Sequence, residues 1–284
     1  MPMSYQPKFP QLRESICVYG PNGVGKTNVT ITMMRRMTDR HFHIFDNNNA
    51  YDFAIFEDDE RNAKIIAAEN FTIHPADFTD YVDQKRVIEE IVEAVQPGDW
   101  AVFDYLDPIW ESLPGWYTEV FLGLDETEYK ASVRRALEEQ RQNALGKNER
   151  QQGNTPLFDR LRDYTYLNPE YKKAVYGAFS RINAKGAHVL CMASSKPVKD
   201  NDDKDIRKRY SSIGARPASQ KGLTGEVNTV LYLQWDGEDE WTVTTAKDRA
   251  SRTTDDKKLA DVEWKDFCSV YLSPVARWSM VKVD

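Results

Sequence analysis

The chain has 284 residues, 40% of them apolar, and its 38 lysines and arginines stand against 45 acidic residues, for a formal net charge of −7. This balance is typical of a globular protein with one large α/β domain, and it excludes a uniformly basic nucleic-acid coat. No apolar run has the length of a membrane span and the first residues lack a signal-peptide core, so we expect a cytoplasmic protein with no membrane partner. Cys17, Cys191 and Cys268 lie far apart between apolar residues, which favours buried reduced thiols.

The first predicted element is a strand that leads directly into a glycine-rich loop. In the segment SICVYGPNGVGKT the glycines, lysine and threonine meet the spacing G-x-x-x-x-G-K-[ST], in which backbone N–H groups converge on a phosphate. A helix is predicted to begin at Lys26, with the positive end of its dipole at the phosphates. Lys26 would reach the β- and γ-phosphates of ATP, and Thr27 would ligate Mg²⁺. The residues predicted to hold the nucleotide are Gly20, Pro21, Asn22, Gly23, Val24, Gly25, Lys26 and Thr27.

Two further predicted strands end in polar residues. The run HFHIFD closes on Asp46 and is followed by three asparagines, and the run WAVFD closes on Asp104 after an amphipathic helix. A carboxylate that ends a buried strand after a phosphate-binding loop predicts a group that holds Mg²⁺ through water. We therefore expect Asp104 to act as a second metal-holding residue beside Thr27.

The remainder of the chain predicts an insertion, another strand, a polar loop and a hairpin. From Leu113 to Glu170 the apolar periodicity is weak, which indicates a charged helical insertion. The strand AHVLCMASS ends in Ser194 and Ser195, which we place beside the γ-phosphate. Residues 196–222 are so polar that we expect a mobile loop. The Asp-Gly pair in WDGEDE predicts a late β-hairpin.

Two segments oppose the acidic net charge. Residues 130–162 hold eight lysines and arginines against four acids, and residues 196–216 hold seven against four. Solvated helix faces and loops would explain either segment alone. The candidate phosphate-binding cations of these segments are Arg134, Arg135, Lys204, Arg207, Lys208 and Arg209.

The order of strand, phosphate-binding loop, Asp104, polar strand end and late hairpin closing in AKDR resembles the RecA-like P-loop ATPase core. It is most similar to the phage-encoded Sak-type single-strand annealing and recombination ATPases, over about Ser15 to Arg252. The resemblance implies a mainly parallel central sheet, ATP and Mg²⁺ as cofactors, a homo-oligomer arranged as a ring or filament, and the host cytoplasm as location. It also implies DNA-contacting loops after Asp104 and after Ser195, which are the two basic segments.

The resemblance implies two more roles, one of which the sequence alters. A lysine or arginine on the late hairpin would reach a neighbouring subunit's nucleotide, and Lys247 and Arg249 occupy the matching place. The resemblance also implies a glutamate at the end of the second strand to activate the attacking water, but Asn48 stands there. An amide cannot accept the proton, so Asp46 or Asp107 would have to substitute. The three asparagines are equally typical of an Asx turn.

These observations predict an N-terminal tail (1–14), a RecA-like core (15–252) containing the insertion (113–170) and the mobile basic loop (196–222), and a C-terminal extension (253–284). We expect an ATPase, with hydrolysis that could be slow, acting on single-stranded DNA in recombination, annealing or repair. Two alternatives stay open: a P-loop small-molecule kinase whose lid is the basic loop, and a viral assembly or packaging motor or nucleotide-dependent switch.

Overall fold

The computed structural model describes residues 13–56, 59–125, 127–129, 131–132, 134–135, 138, 160–219, 222–235, 241–248 and 258–259. Arg249, most of the N-terminal tail, the middle of the predicted insertion and nearly all of the C-terminal extension lie outside the described residues.

The strands are β1 (Ser15–Gly20), β2 (Phe42–Asp46), β3 (Phe71–Pro75), β4 (Trp100–Asp104), β5 (His188–Pro197), β6 (Ala215–Pro217), β7 (Thr229–Trp235), β8 (Trp241–Asp248) and β9 (Lys258–Leu259). The helices are α1 (Lys26–Arg36), α2 (Ala50–Phe56), α3 (Asp59–Ala68), α4 (Tyr81–Ala94), α5 (Asp107–Leu122), α6 (Arg160–Tyr171), α7 (Gly177–Ala184), α8 (Lys204–Tyr210) and α9 (Leu223–Glu226), and a π-helical turn (Lys172–Tyr176) joins α6 to α7.

The central sheet has the order β3-β2-β4-β5-β1-β7-β8-β9, with β6 paired to β5. The strands from β3 through β7 along this order are parallel, whereas β8 and β9 run antiparallel to their neighbours. The structure confirms the predicted α/β class with a mainly parallel central sheet and a late β-hairpin. Every residue of β1, β2 and β4 is buried, as expected for parallel strands covered on both faces.

Helices cover both faces of the sheet. One buried cluster joins the sheet to α4, α5 and α7, through residues such as Ile88, Ile109 and Phe179. The other joins it to α1, α2 and α3, through residues such as Met34 and Ile55. Because β1, β2 and β4 run parallel in one sheet, their carboxyl ends lie along the same side of it. Ligands bind at that side in open α/β sheets.

The predicted start of the insertion, Leu113, is wrong because this residue lies inside a core helix. Helix α5 runs without interruption through Leu113 to Leu122, and Leu113 and Tyr117 are buried in the core. Ile109, Leu113 and Tyr117 are spaced four residues apart, so they share one face of the helix and pack together against the sheet. Leu167 of α6 is also a core residue. Both ends of the segment 113–170 therefore belong to the core.

The segment predicted as a mobile basic loop, residues 196–222, is folded. Strand β5 continues to Pro197, helix α8 follows, and β6 pairs back onto β5. Tyr210 is only 3% exposed. The guanidinium of Arg216 makes two hydrogen bonds to Asp202, at 2.9 and 2.7 Å. The prediction was wrong because these polar side chains pair with each other, and one aromatic residue anchors the helix.

Cys17 and Cys191 are buried free thiols, as predicted, although they lie opposite each other in the β1–β5 register, and Cys268 lies outside the described residues. Among the described residues, no helix combines the length and apolar character that crossing a membrane requires.

Candidate nucleotide-binding site

Steric constraints explain why glycines occupy the loop between β1 and α1. A Cβ atom on Gly20 would lie 2.4 Å from the carbonyl oxygen of Leu233 in β7, so the end of β1 can pass β7 only as glycine. Gly23 and Gly25 have positive φ angles of 78° and 91°, and Gly25 caps the start of α1. Glycine adopts that region without steric cost. The loop therefore leads its backbone directly to the N-terminus of α1, as the sequence predicts.

Lys26 lies inside this loop. Its ammonium donates hydrogen bonds to the carbonyl oxygens of Gly20, at 3.0 Å, and Pro21, at 2.9 Å. Burial lowers the pKa of Lys26, while the carboxylates of Asp104 and Asp107 act in the opposite direction. The charge is thus held at the helix N-terminus by two neutral carbonyl acceptors, and an anionic phosphate oxygen would replace them with a hydrogen bond in which both groups are charged.

Thr27 and Asp104 meet across an intervening strand. The Thr27 hydroxyl donates to Oδ2 of Asp104 at 2.8 Å, although β5 lies between β1 and β4. Asp104 is 4% exposed. Burial raises its pKa and Asp46 adds to that, whereas hydrogen bonds from Thr27 and Tyr51 and the charge of Lys26 lower it. A hydroxyl and a carboxylate oxygen side by side are the ligand types that Mg²⁺ takes, so these residues fit the ion.

The end of β2 is occupied by a turn. The Asp46 carboxylate accepts hydrogen bonds from the backbone N–H groups of Asn48, Ala50 and Tyr51, at 3.1 to 3.3 Å. The side-chain oxygen of Asn48 accepts a further one from Ala50. Asn47 donates to the carbonyl oxygen of Tyr105. The asparagine run therefore forms the Asx turn that the sequence left as one of two interpretations, and Asp46 caps α2.

The end of β5 lies beside the phosphate-binding loop. Ser194 pairs with Gly20 in the parallel register, and Ser195 pairs with Pro217 of β6, one residue beyond the end of β1. The backbone N–H of Ser194 donates to Oδ2 of Asp107 at 3.0 Å. Of the two predicted serines, the structure aligns Ser194 with the end of β1 and Ser195 with β6.

One buried hydroxyl in the site was not predicted from the sequence. The Tyr51 and Thr30 hydroxyl oxygens lie 3.0 Å apart, and Tyr51 also hydrogen-bonds the Asp104 carboxylate. Burial raises the pKa of Tyr51 well above its ordinary value, so it stays a neutral donor. A tyrosine in an amphipathic helix carries no pattern that distinguishes this role from ordinary core packing.

The predicted DNA-binding cations lie outside this cluster and in solvent. Arg134 and Arg135 are exposed. So are Lys204, Arg207, Lys208 and Arg209, which all belong to α8. Tyr210 at the end of α8 packs edge to face on Tyr19 of β1, with ring centroids 6.1 Å apart. The Tyr19 hydroxyl donates to the carbonyl oxygen of Ala215 at 3.0 Å. The basic helix is therefore attached to the strand that leads into the phosphate-binding loop.

Lys247 lies elsewhere in the sheet. It pairs with Val230 of β7, which pairs with Cys17 of β1, so it is level with the middle of β1. Because β8 is antiparallel, it runs from there away from the edge that holds the phosphate-binding loop. The Lys247 ammonium donates to the backbone carbonyl oxygens of Thr224 and Val227.

No family model and no curated protein matches this chain. Among solved structures, the chain is similar to the crystal structure of the RadB recombinase, with 12% sequence identity, a TM-score of 0.48, and coverage of 86% of this chain and 84% of that chain. The site described above depends on its own geometry and not on that likeness.

Proposed function

We propose that the chain is a Mg²⁺-dependent P-loop ATPase that acts on single-stranded DNA in recombination, annealing or repair. The observation that carries the proposal is the contact between Thr27 and Asp104 beside the Lys26 ammonium. It joins one cation, one hydroxyl and one carboxylate at the N-terminus of α1. Those are the groups that phosphate binding and Mg²⁺ binding require.

In this proposal the chain's own residues divide the work. Backbone N–H groups of residues 20–27 and the Lys26 ammonium bind and orient the β- and γ-phosphates. Thr27 and Asp104 hold Mg²⁺, which neutralises charge on the phosphates when it is bound. Positioning and charge stabilisation of this kind supply most of the catalysis in phosphoryl transfer.

Helix α8 supports the DNA part of the proposal. Four exposed cations lie on this helix, which packs on β1 through Tyr210. DNA phosphates bound by these cations would therefore lie near the nucleotide site. The same fold counts against the kinase alternative, because a lid must close over its substrates. Here the segment is anchored by the pairing of β6 with β5 and by Arg216 on Asp202. A packaging motor would favour duplex DNA over single strands.

The decisive experiment measures Mg-ATP binding and hydrolysis by the wild type and by Lys26→Ala, with and without single-stranded or duplex DNA. We expect ATP affinity or turnover to collapse in Lys26→Ala, because the fixed positive charge on the phosphates is lost. Lys185→Ala is the control, since Lys185 likewise donates to two backbone carbonyls, those of Val92 and Glu93, outside the site. Unchanged ATP binding and hydrolysis in Lys26→Ala would refute the proposal, and stimulation by duplex alone would favour the motor.

A further inference from the structure

ATP hydrolysis at this site needs a group that takes a proton from the attacking water. At the end of β2, every candidate group already accepts hydrogen bonds. Both carboxylate oxygens of Asp46 accept backbone N–H groups, and the side chain of Asn48 closes a turn. A carboxylate that caps a helix with both oxygens is poorly placed to turn toward a water molecule. The proton acceptor must therefore be sought at another strand end.

One carboxylate oxygen of Asp107 accepts no hydrogen bond from the described residues. Asp107 is the first residue of α5 and is only 8% exposed. Its Oδ2 accepts the N–H of Ser194 at 3.0 Å, which fixes the orientation of the carboxylate. Its Oδ1 is buried and accepts no hydrogen bond from any described residue. A buried carboxylate oxygen without a donor is costly, which suggests that a water molecule or ligand completes it.

The position of Asp107 connects it to the phosphate-binding loop. Ser194, which it holds, pairs in register with Gly20, whose carbonyl oxygen accepts a hydrogen bond from Lys26. Burial lowers the pKa of Lys26, the residue expected to contact the γ-phosphate, and the negative charge of Asp107 acts on the same ammonium in the opposite direction. Asp107 is thus attached to the end of β5, the strand that pairs with the end of β1.

We infer that Asp107 is the general base of ATP hydrolysis, an inference that rests on the proposed function. The water oxygen forms a bond to the γ-phosphorus while the bond from that phosphorus to the β–γ bridging oxygen breaks, and ADP leaves with the electron pair. The water proton passes to Oδ1 of Asp107 and then to solvent. Ser194 acts as the positioning residue, because its N–H keeps Oδ2 occupied and leaves Oδ1 as the oxygen that can take the proton.

The test compares Asp107→Asn with Glu111→Gln. Asparagine retains a carbonyl oxygen for the Ser194 N–H and nearly the same volume, but it cannot take the proton. Glu111 lies one turn further along the same helix and is exposed, so its variant removes the same charge without touching the site. Mg-ATP affinity is measured by calorimetry, hydrolysis by single-turnover phosphate release, and folding by thermal unfolding.

In Asp107→Asn we expect hydrolysis to fall about 10²-fold or more while Mg-ATP affinity stays within about threefold of the wild type, as for the loss of a general base. Glu111→Gln should match the wild type in both. Wild-type hydrolysis in Asp107→Asn overturns the inference, and so does a loss of ATP affinity, which would assign Asp107 a structural role.

A second variant guards against misfolding. If Asp107→Asn unfolds, Asp107→Ser keeps a small polar residue at the helix start and must show the same pattern of retained binding and lost hydrolysis; if it does not, the inference fails. The proposed function fails separately: a wild-type chain that does not bind Mg-ATP contradicts the nucleotide site itself. A wild type that hydrolyses ATP beside an equally active Asp107→Asn variant contradicts Asp107 alone.

Discussion

The Thr27 hydroxyl donates to the Asp104 carboxylate over 2.8 Å, and this one hydrogen bond ties the start of α1 to the end of β4 across strand β5. The contact depends on strand order. Because β5 separates the two strands, neither side chain reaches the other unless the sheet forms with this order. The candidate Mg²⁺ site is therefore a property of the assembled sheet and not of the loop sequence alone.

The first prediction concerns that pair. Thr27→Val keeps the shape of the side chain and removes the hydroxyl, so Mg²⁺ should enhance ATP binding at least about tenfold less than in the wild type, as expected for one hydrogen bond to a charged group. Thr27→Ser retains the hydroxyl and should preserve the Mg²⁺ dependence. ATP titrations with and without Mg²⁺ measure the difference. Equal Mg²⁺ dependence in the valine variant would show that Thr27 is not a ligand.

The second prediction concerns Gly20. Alanine there would place its Cβ 2.4 Å from a backbone carbonyl of β7, which cannot move aside as a side-chain tip can. We expect Gly20→Ala to lower the free energy of unfolding by about 1–3 kcal/mol, the usual cost of overpacking. It should also weaken ATP binding, because the loop must shift.

Gly225→Ala is the matched control for Gly20→Ala. Apart from its chain neighbours and its own helix backbone, no atom of the described residues lies within 4 Å of where a Cβ on Gly225 would be, and its backbone angles suit alanine. Its unfolding free energy should therefore stay equal or rise slightly. Urea unfolding of both variants checks this, and equal stability of the two would mean that β1 and β7 do not approach as described.

Much of the geometry of the candidate nucleotide site could be predicted from sequence because its signals are local. The glycine spacing, the helix start at Lys26 and the strand that ends in Asp104 each lie within a dozen residues. The fold class also followed, because alternating strands and amphipathic helices favour a parallel sheet. What could not be predicted depends on partners distant in sequence. Tyr210 packs on Tyr19, and Asp202 pairs with Arg216. These contacts fold the segment 196–222, whose composition predicts a polar loop.

The roles of carboxylates were equally hard to assign from sequence. Asp46 ends one buried strand and Asp107 lies three residues after another, and their neighbours in the sequence do not show which of them has a free oxygen. Their difference is the number of backbone N–H groups that reach each carboxylate, which depends on how α2 and β5 end. Such hydrogen bonds have no periodic signature.

The third prediction concerns single-stranded DNA and helix α8. If Lys208 and Arg209 contact phosphates, replacing both by glutamine should flatten the log–log dependence of affinity on salt by about 1.4 units, since each neutralised phosphate contributes about 0.7. Lys172→Gln with Lys173→Gln removes two exposed charges from the π-helical turn and is the control.

Salt titrations by fluorescence anisotropy with a labelled oligonucleotide measure both slopes. An unchanged slope in the α8 variant excludes this helix from the interface. An equal change in the control would show that only overall charge matters. The same substitutions at Arg134 and Arg135 test the other basic segment.

The last prediction is that Lys247 serves a neighbouring subunit's nucleotide. Its position level with Cys17, on a strand that runs away from the phosphate-binding loop, sets it apart from the nucleotide of its own chain. Its ammonium donates to the carbonyl oxygens of Thr224 and Val227, so it would have to leave those groups when subunits assemble. A γ-phosphate is the stronger acceptor and could draw it away. A cation supplied in trans can accelerate phosphoryl transfer by on the order of 10³-fold.

Lys247→Met retains the apolar stem of the side chain and removes the charge. We expect it to bind ATP normally and to lose DNA-stimulated turnover, while wild-type specific activity rises with protein concentration. Mixing it with Lys26→Ala should restore part of the turnover, because one chain supplies an intact phosphate-binding loop and the other an intact Lys247. Thermal unfolding distinguishes a catalytic role of Lys247 from a purely structural one. If the variant is destabilised but its folded fraction turns over ATP normally, Lys247 only stabilises α9. If the mixture stays inactive and wild-type specific activity is independent of concentration, the site is not shared between subunits.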